Sequence, residues 1–289
     1  MAGSQEGKIA LVTGATNGIG LVTARELARR GARVLLVARD RARGESAAAE
    51  IQAASGGQPP DVFLADLSSQ AEVRRLAGQV RKRTQRLDLL VNNAGAIFAG
   101  RELSADGLEM TFALNHLAYF LLTLELLPLL EAGAPSRIVN VSSLAHERGS
   151  IDFEDLQAER DYAMWKAYRQ SKLANVLFTR ELARRLGGRG VTTNALHPGV
   201  FASGFGRRGQ GIFSWIVAAG APFLSSPEKC ARTTLHVATA PELGAVTGKY
   251  FSSCREKIPA KAARDDDAAL RLWQISENLT HPSTRLPPP

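Results

Sequence analysis

The sequence predicts an α/β protein: a single domain built on one doubly wound parallel sheet of about seven strands, with helices on both faces. Three observations predict it. Short, continuously apolar runs alternate along the chain with longer runs of helical periodicity, the pattern of parallel strands buried on both faces. Residues with chemistry to offer gather at the carboxyl ends of the apolar runs, where open α/β sheets bind ligands. A length of 289 residues with 45% hydrophobic and 22% charged side chains suits one large domain with a substantial core.

The bulk properties also narrow the function classes. A net charge of +8 and a pI of about 9.9 invite a nucleic-acid or membrane reading. No Lys/Arg block reaches five residues and acids are interspersed, so no nucleic-acid partner is expected, and part of the excess suits an anionic cofactor. Cys230 and Cys254 show neither metal-ligand spacing nor a disulfide framework. No metal site is expected, and a reducing compartment is consistent. The apolar runs at residues 9–12 and 211–224 are too short to span a bilayer. The expectation is a soluble, cytoplasmic protein without a transmembrane segment, at most in peripheral contact with a membrane.

In order, residues 9–13 form the first strand, followed directly by Gly14-Ala15-Thr16-Asn17-Gly18-Ile19-Gly20 and a helix that stops at Gly31. Gly14 allows a tight turn, Gly18 lets backbone approach a phosphate, and Gly20 lets helix pack on strand. Glycines alone also suit a plain turn. With a strand before and a helix after, the unit reads as a Rossmann-type dinucleotide site, lined by Gly14, Thr16, Asn17, Gly18, Ile19 and Gly20, with the pyrophosphate over the helix N-terminus. Residues 33–38 are the second strand, ending in Arg39-Asp40. An arginine here suits the 2′-phosphate of NADP, whereas an acid suits the ribose hydroxyl of NAD. Arg39 points to NADP as the cofactor, NAD being second choice, although a solvated pair opening the next helix reads the same way.

A helix over 41–54 leads to a third strand over 61–65, closed by Asp66-Leu67, and a helix over 69–83 leads to a fourth over 87–91. The latter runs into Asn92-Asn93-Ala94-Gly95, where two amides and a glycine fit either a cofactor edge or simple turn chemistry. Residues 103–130 read as one long helical region with Asn115 inside it, an amide that needs a backbone or water partner if buried. The fifth strand, 137–141, ends in Ser142-Ser143, and the sixth, 191–196, in His197-Pro198-Gly199-Val200. A helix over 227–240, a short last strand over 249–252, and a helix over 267–277 follow. The tail, residues 281–289, is Pro-rich and expected to be disordered.

The helix over 162–186 carries Tyr168-Arg169-Gln170-Ser171-Lys172. A spacing of four places the phenol and the ammonium one turn apart on one face. An ammonium beside a phenol favours the phenolate, so a fall of roughly one to three units from the usual tyrosine value is expected. Such a phenol can exchange protons with an alcohol or a carbonyl. Between Gly199 and the helix at 227, glycine-rich residues 200–211 suit a hinge, and Phe213, Trp215, Ile216, Val217 and Phe223 offer an apolar wall. A helix packed on the core and a patch dipping into a membrane remain alternatives for this segment.

Taken in this order, Thr13-Gly14-x-x-x-Gly18-Ile19-Gly20, Asp66-Leu67, Asn92-Asn93-Ala94-Gly95, Asn115, the serine pair, Tyr168-x-x-x-Lys172 and Pro198-Gly199 resemble the short-chain dehydrogenase/reductase family across residues 7–277. Val37-Ala38-Arg39-Asp40, Asn115-His116-Leu117, Val141-Ser142-Ser143-Leu144-Ala145-His146 and His197-Pro198-Gly199-Val200 are similar to its retinol dehydrogenase branch. The resemblance implies an oxidoreductase in which Tyr168 donates or accepts the proton and Lys172 lowers its pKa and holds the nicotinamide ribose. It also implies that Ser143, the second of the pair, binds the substrate oxygen, and that Asn115 supports a water relay. Asp66, Leu67, Asn93, Ala94, Gly95, Tyr168, Lys172, Pro198, Gly199 and Val200 are then expected to join the glycine turn and Arg39 around the cofactor. Residues 1–280 form one NADP-binding domain, a homo-oligomer is possible for such a family, and the partner is a lipophilic alcohol, aldehyde or ketone. The rival is a catalytically silent dinucleotide sensor or scaffold of the same fold.

Overall fold

The computed structural model describes residues 4–199 and 225–288. Val200 and the segment to Leu224, expected to wall the substrate site, lie outside the described residues. The strands are β1 (Ile9–Thr13), β2 (Arg33–Ala38), β3 (Asp61–Leu64), β4 (Leu89–Asn92), β5 (Ser136–Val141), β6 (Val191–His197), β7 (Tyr250–Ser252) and β8 (Arg255–Lys257). They form one sheet in the order β3-β2-β1-β4-β5-β6-β7-β8. Pairing is parallel from β3 through β7, and β8 runs antiparallel to β7. The order reverses between β1 and β4, and a crevice at such a reversal is where open α/β sheets take their ligands.

Helices α1 (Gly18–Arg29), α2 (Arg41–Ser55), α3 (Gln70–Arg83), α4 (Met110–Ala132), α5 (Met164–Arg185), α6 (Pro227–Thr239) and α7 (Asp266–Thr280) cover both faces. On one face Val22, Leu27 and Ile51 of α1 and α2 pack with Leu235 of α6 against Val12, Leu36 and Val139 of the sheet. On the other, Leu76 of α3, Phe120 and Leu124 of α4 and Phe178 of α5 pack against Leu11, Leu90 and Ile138. Alternate residues of one strand feed opposite cores, which is why the strands read as continuous apolar runs. Helix α4 is long and apolar enough to cross a membrane, but 89% of its most apolar window is buried within the fold, as befits a core helix.

Three expectations need correction. The sheet carries an eighth strand, β8, after a two-residue turn at Ser253-Cys254 with φ of 52° and 58°. Both turn residues are left-handed without being glycine or asparagine, and β8 is a short, exposed Arg-Glu-Lys run, so neither hairpin signal is present. Helix α4 starts at Met110, not near residue 103. Leu103 instead bridges to Glu109, Gly107 turns at φ 74°, and the buried Glu109 carboxylate accepts the amides of Thr111 and Phe112 at 2.7 Å each. That cap fixes the helix start. The tail is held, not disordered: Ser283 N–H donates to Glu125 Oε1 at 2.8 Å, Arg185 Nη1 donates to the Leu286 carbonyl at 2.8 Å, and Leu286 is buried. Arg185 itself is pinned by Glu181 at 2.7 Å and lies 4.4 Å over the Trp273 ring, a dock that proline content does not announce.

Candidate active site

The reversal point is closed by a small set of hydrogen bonds. Thr13 Oγ1 accepts the amides of Asn93 and Ala94 at 2.8 and 3.0 Å and donates to the Val91 carbonyl at 3.2 Å. Asn93 Nδ2 donates to the carbonyls of Thr13 and Gly14 at 2.9 and 3.2 Å. Asn93, expected on the cofactor edge, therefore has its amide turned onto the β1 end, which it ties to β4. The turn it ties is glycine by necessity. Gly14 has φ 64°, and a Cβ there would stand 2.8 Å from Ala94 Cα. A Cβ on Gly20 would meet the Gly14 carbonyl oxygen at 2.3 Å. Gly18 has φ 53°. Asn17, at the N-cap of α1, makes no side-chain cap bond, leaving the first amides of the helix open to an anion.

Along the sheet, Arg39 is exposed at the end of β2 and pairs with no carboxylate among the described residues. Its neighbour Asp40 caps α2, accepting the Arg43 amide at 2.9 Å. Asp66 folds onto Ser68, accepting its amide at 3.0 Å and its hydroxyl at 2.7 Å, and Leu67 is buried below. Asn92 turns away from the crevice. Fully buried, it donates to Thr123 at 3.0 Å and Asn140 at 2.9 Å.

Gly95 joins this crevice to a second centre. A Cβ there would lie 3.1 Å from Asn115 Oδ1 and 3.5 Å from Lys172 Nζ. Asn115 sits in a π-helical turn of α4, Ala113–Leu117, an irregularity that often marks functional sites. Its side chain pairs both ways with the Ala96 backbone at 2.9 Å and donates to Ser171 Oγ at 3.1 Å. Its own carbonyl accepts from Asn175 Nδ2 at 2.9 Å. The buried amide thus takes the backbone-partner option.

Lys172 and Tyr168 share one face of α5. Lys172 is 3% exposed; its ammonium donates to the Val141 carbonyl at 3.1 Å and lies 5.7 Å from the Tyr168 ring centroid. Burial lowers its pKa from 10.5 to about 8. The expected fall of the Tyr168 pKa does not occur in the free protein: burial raises it, with a hydrogen bond to Ser143 pulling the other way. The reason is burial: a phenol withdrawn from water disfavours its charged form, and helical spacing does not report that withdrawal. The two serines face different partners. Ser142 is buried and its hydroxyl donates to the Lys172 carbonyl at 2.7 Å, whereas the half-buried Ser143 hydroxyl reaches Tyr168. Pro198 and Gly199 follow β6 on the same rim, Gly199 at φ 112° against Cys230, where a Cβ would come within 2.8 Å of the sulfur.

A short-chain dehydrogenase family model matches residues 8–209. The chain belongs to the short-chain dehydrogenase/reductase family. It is similar to retinol dehydrogenase 12 of Bos taurus, 46% identical over 273 residues that cover 94% of this chain and 86% of the relative. Among solved structures, an uncharacterized protein of Mycobacterium paratuberculosis superposes with a TM-score of 0.80 at 35% identity, covering 99% of this chain and 97% of the other. The Pseudomonas aeruginosa RhlG/NADP active-site complex gives 0.68 at 32% identity, covering 86% and 95%. As a member of this family the protein is a nicotinamide-dinucleotide oxidoreductase, close to the retinol dehydrogenase branch.

Two features of this family member escape a reading by residue type. Thr13 carries the β1–β4 tie, and its only signal is a hydroxyl at the strand end before the glycine turn. Tyr119, one turn beyond Asn115, presents its ring 5.9 Å from the Lys172 ammonium. Its buried hydroxyl has no hydrogen-bond partner among the described residues. Helical spacing from Asn115 was the available signal.

The lysine burial has a measurable consequence. The folded chain releases the Lys172 proton near pH 8, but the unfolded chain holds it to about 10.5. Between these values the unfolded state binds more protons, so stability rises with pH there, and the penalty is full below it. Lys172→Met should remove the penalty. The variant should exceed the parent in unfolding free energy by about 3 kcal/mol at pH 7, with the gap closing as pH rises from 8 toward 10.5. A gap independent of pH in denaturant titrations would contradict this.

Proposed function

We propose that the protein transfers hydride, reversibly, between NADP(H) and the carbonyl or alcohol carbon of a bulky, lipophilic compound. One observation carries the reading: Ser143, Tyr168 and Lys172 converge at the carboxyl ends of β5 and β6, joined through Gly95 to the glycine turn after β1. A bound nicotinamide dinucleotide supplies the hydride for reduction and takes it up in oxidation. The residues fit that group. Gly14, Thr16, Asn17, Gly18, Ile19 and Gly20 would hold the pyrophosphate, on a turn packed so tightly against Asn93 and Ala94 that a Cβ at Gly14 or Gly20 would force it apart. The sheet order puts Arg39, Asp66 and Leu67 on the β2–β3 side, for the adenosine half. Ala94, Gly95, Tyr168, Lys172, Pro198 and Gly199 lie on the β4–β6 side, for the nicotinamide half.

In reduction, Ser143 holds the substrate oxygen and Tyr168 gives it a proton. Burial keeps the phenol protonated well beyond neutrality, the form that carbonyl reduction needs and alcohol oxidation does not. For the cofactor, Asp40 is committed to capping α2 and Arg39 is exposed, which supports NADP over NAD. For the substrate, two of the four large apolar side chains exposed among the described residues border the site. Leu144 follows Ser143, and Trp165 packs edge-on to Tyr168 at 6.0 Å. Similarity to proteins named retinol dehydrogenases supports the same lipophilic class.

Tyr168→Phe should keep the fold and NADPH affinity and lose about 10²–10⁴ in kcat for aldehyde reduction; a folded variant with full turnover sinks the mechanism, whereas a parent that binds NADPH but turns over no aldehyde or ketone in a broad panel favours a sensor. Arg39→Ala should weaken NADPH binding about ten- to hundredfold while leaving NADH nearly unchanged. Equal loss for both cofactors in a binding titration refutes the NADP assignment.

A further inference from the structure

Two buried histidines take no part in the reaction above, yet both touch the segment that presents Ser143. His146 lies in the 3-10 turn Leu144–Arg148, and His197 is the last residue of β6. His146 Nδ1 is 2.7 Å from the Ser143 carbonyl oxygen. A carbonyl only accepts, so this nitrogen carries the proton. Its other nitrogen, Nε2, faces the Ala260 amide at 3.4 Å and accepts from it. His197 is the opposite case: its Nδ1 accepts the Leu144 amide at 3.3 Å, so its proton sits on Nε2.

The Ser143 carbonyl and the Leu144 amide belong to one rigid peptide unit. The two imidazoles grip that unit from its two ends, one donating to its oxygen and the other accepting from its N–H. Fixing the plane restrains the ψ torsion of Ser143 and so the turn that carries its side chain, whose hydroxyl oxygen also accepts the Ala145 amide at 3.2 Å. The turn is also pressed onto α5 beside Tyr168: the Gly149 amide donates to the His146 carbonyl at 3.0 Å, and a Cβ on Gly149 would stand 2.8 Å from the Arg169 carbonyl oxygen.

We propose that His146 and His197 are positioning residues, which as neutral imidazoles of opposite tautomer clamp the Ser143–Leu144 peptide and aim the Ser143 hydroxyl at Tyr168 and the reacting oxygen. The catalytic half of this inference rests on the function proposed above. The surroundings keep both rings neutral. Burial lowers His146, against a bond to the Ser143 carbonyl and the charge of Glu147 on its own turn. Burial, with His146 as neighbour, lowers His197 to about 4. The other ring facing His146 is that of Tyr250 on β7, 4.7 Å away, whose phenol is held un-ionised by burial.

The test uses the full chain, NADPH and a medium-chain aldehyde, with His197→Leu and His197→Asn made in the parent and in Ser143→Ala. His197→Leu should lower kcat about ten- to hundredfold in the parent with NADPH affinity unchanged, and His197→Asn, which keeps an acceptor, should restore most of it. In Ser143→Ala the same His197→Leu change should cost almost nothing further, because its effect runs through the serine. Equal losses in both backgrounds, or no loss in the parent, overturn the proposal. Long-range ¹H–¹⁵N spectra of the five histidines, assigned by substitution, provide a readout independent of turnover. Nδ1–H for His146 and Nε2–H for His197 are expected, and any other pairing overturns the clamp. A parent protein that reduces no carbonyl contradicts the proposed function alone, and the spectra then decide the clamp.

Discussion

The constraint on which the site depends is an ammonium taken out of water. A buried Lys172 is costly unless its surroundings answer it, and the local structure reads as that answer. The Val141 carbonyl at the end of β5 accepts from it, the Tyr119 and Tyr168 rings face it, and Gly95 approaches so closely that a Cβ there would already touch it at 3.5 Å. Gly95 is in turn held by Asn115, whose amide brackets Ala96 from within the π turn of α4. The same short loop after β4 therefore meets the lysine at one end and, through Asn93 and Thr13, the glycine turn at the other. The glycine turn and the Tyr168–Lys172 centre are one connected piece.

Beneath it runs a layer of buried amides and hydroxyls. Asn92 bonds Thr123 of α4 and Asn140 of β5, and Asn140 reaches Thr179 of α5 and Thr193 of β6 at 3.0 and 3.2 Å. These bonds cross from strand to helix and set the register of α4 and α5 on the sheet. Such directional bonds in a core favour one arrangement where apolar packing tolerates several, although Asn92 Oδ1 has no partner among the described residues. Three successive parallel strands, β4 to β6, and two helices are locked in this way, so Asn115, Ser143 and Lys172 stand on a rigid platform.

Much of this was legible in the residues. The seven parallel strands follow from apolar runs bounded by turns, and the glycine turn from the strand–glycine–helix order. Resemblance alone separates Ser143 from Ser142 in the sequence; the structure adds that the Ser142 hydroxyl is committed to the α5 backbone. What was not legible depends on partners distant in sequence. The eighth strand has no apolar alternation, and the start of α4 is set by a buried glutamate cap. The tail docks on the ends of α4 and α5. The lowered tyrosine pKa was inferred from spacing alone, and spacing says nothing of burial. His146 and His197 were visible in motifs, but only the fold shows that they grip the two ends of one peptide bond.

The central claim is that burial, and not the neighbouring ammonium, sets the protonation of Tyr168 in the free protein. Ultraviolet difference titration, comparing the parent with Tyr168→Phe, reads that phenol directly among the four tyrosines. The account predicts that the phenolate signal missing from the variant emerges only above the ordinary tyrosine range near 10. A signal that titrates one to three units below it would contradict the account and restore the simple picture of a lysine-activated phenolate.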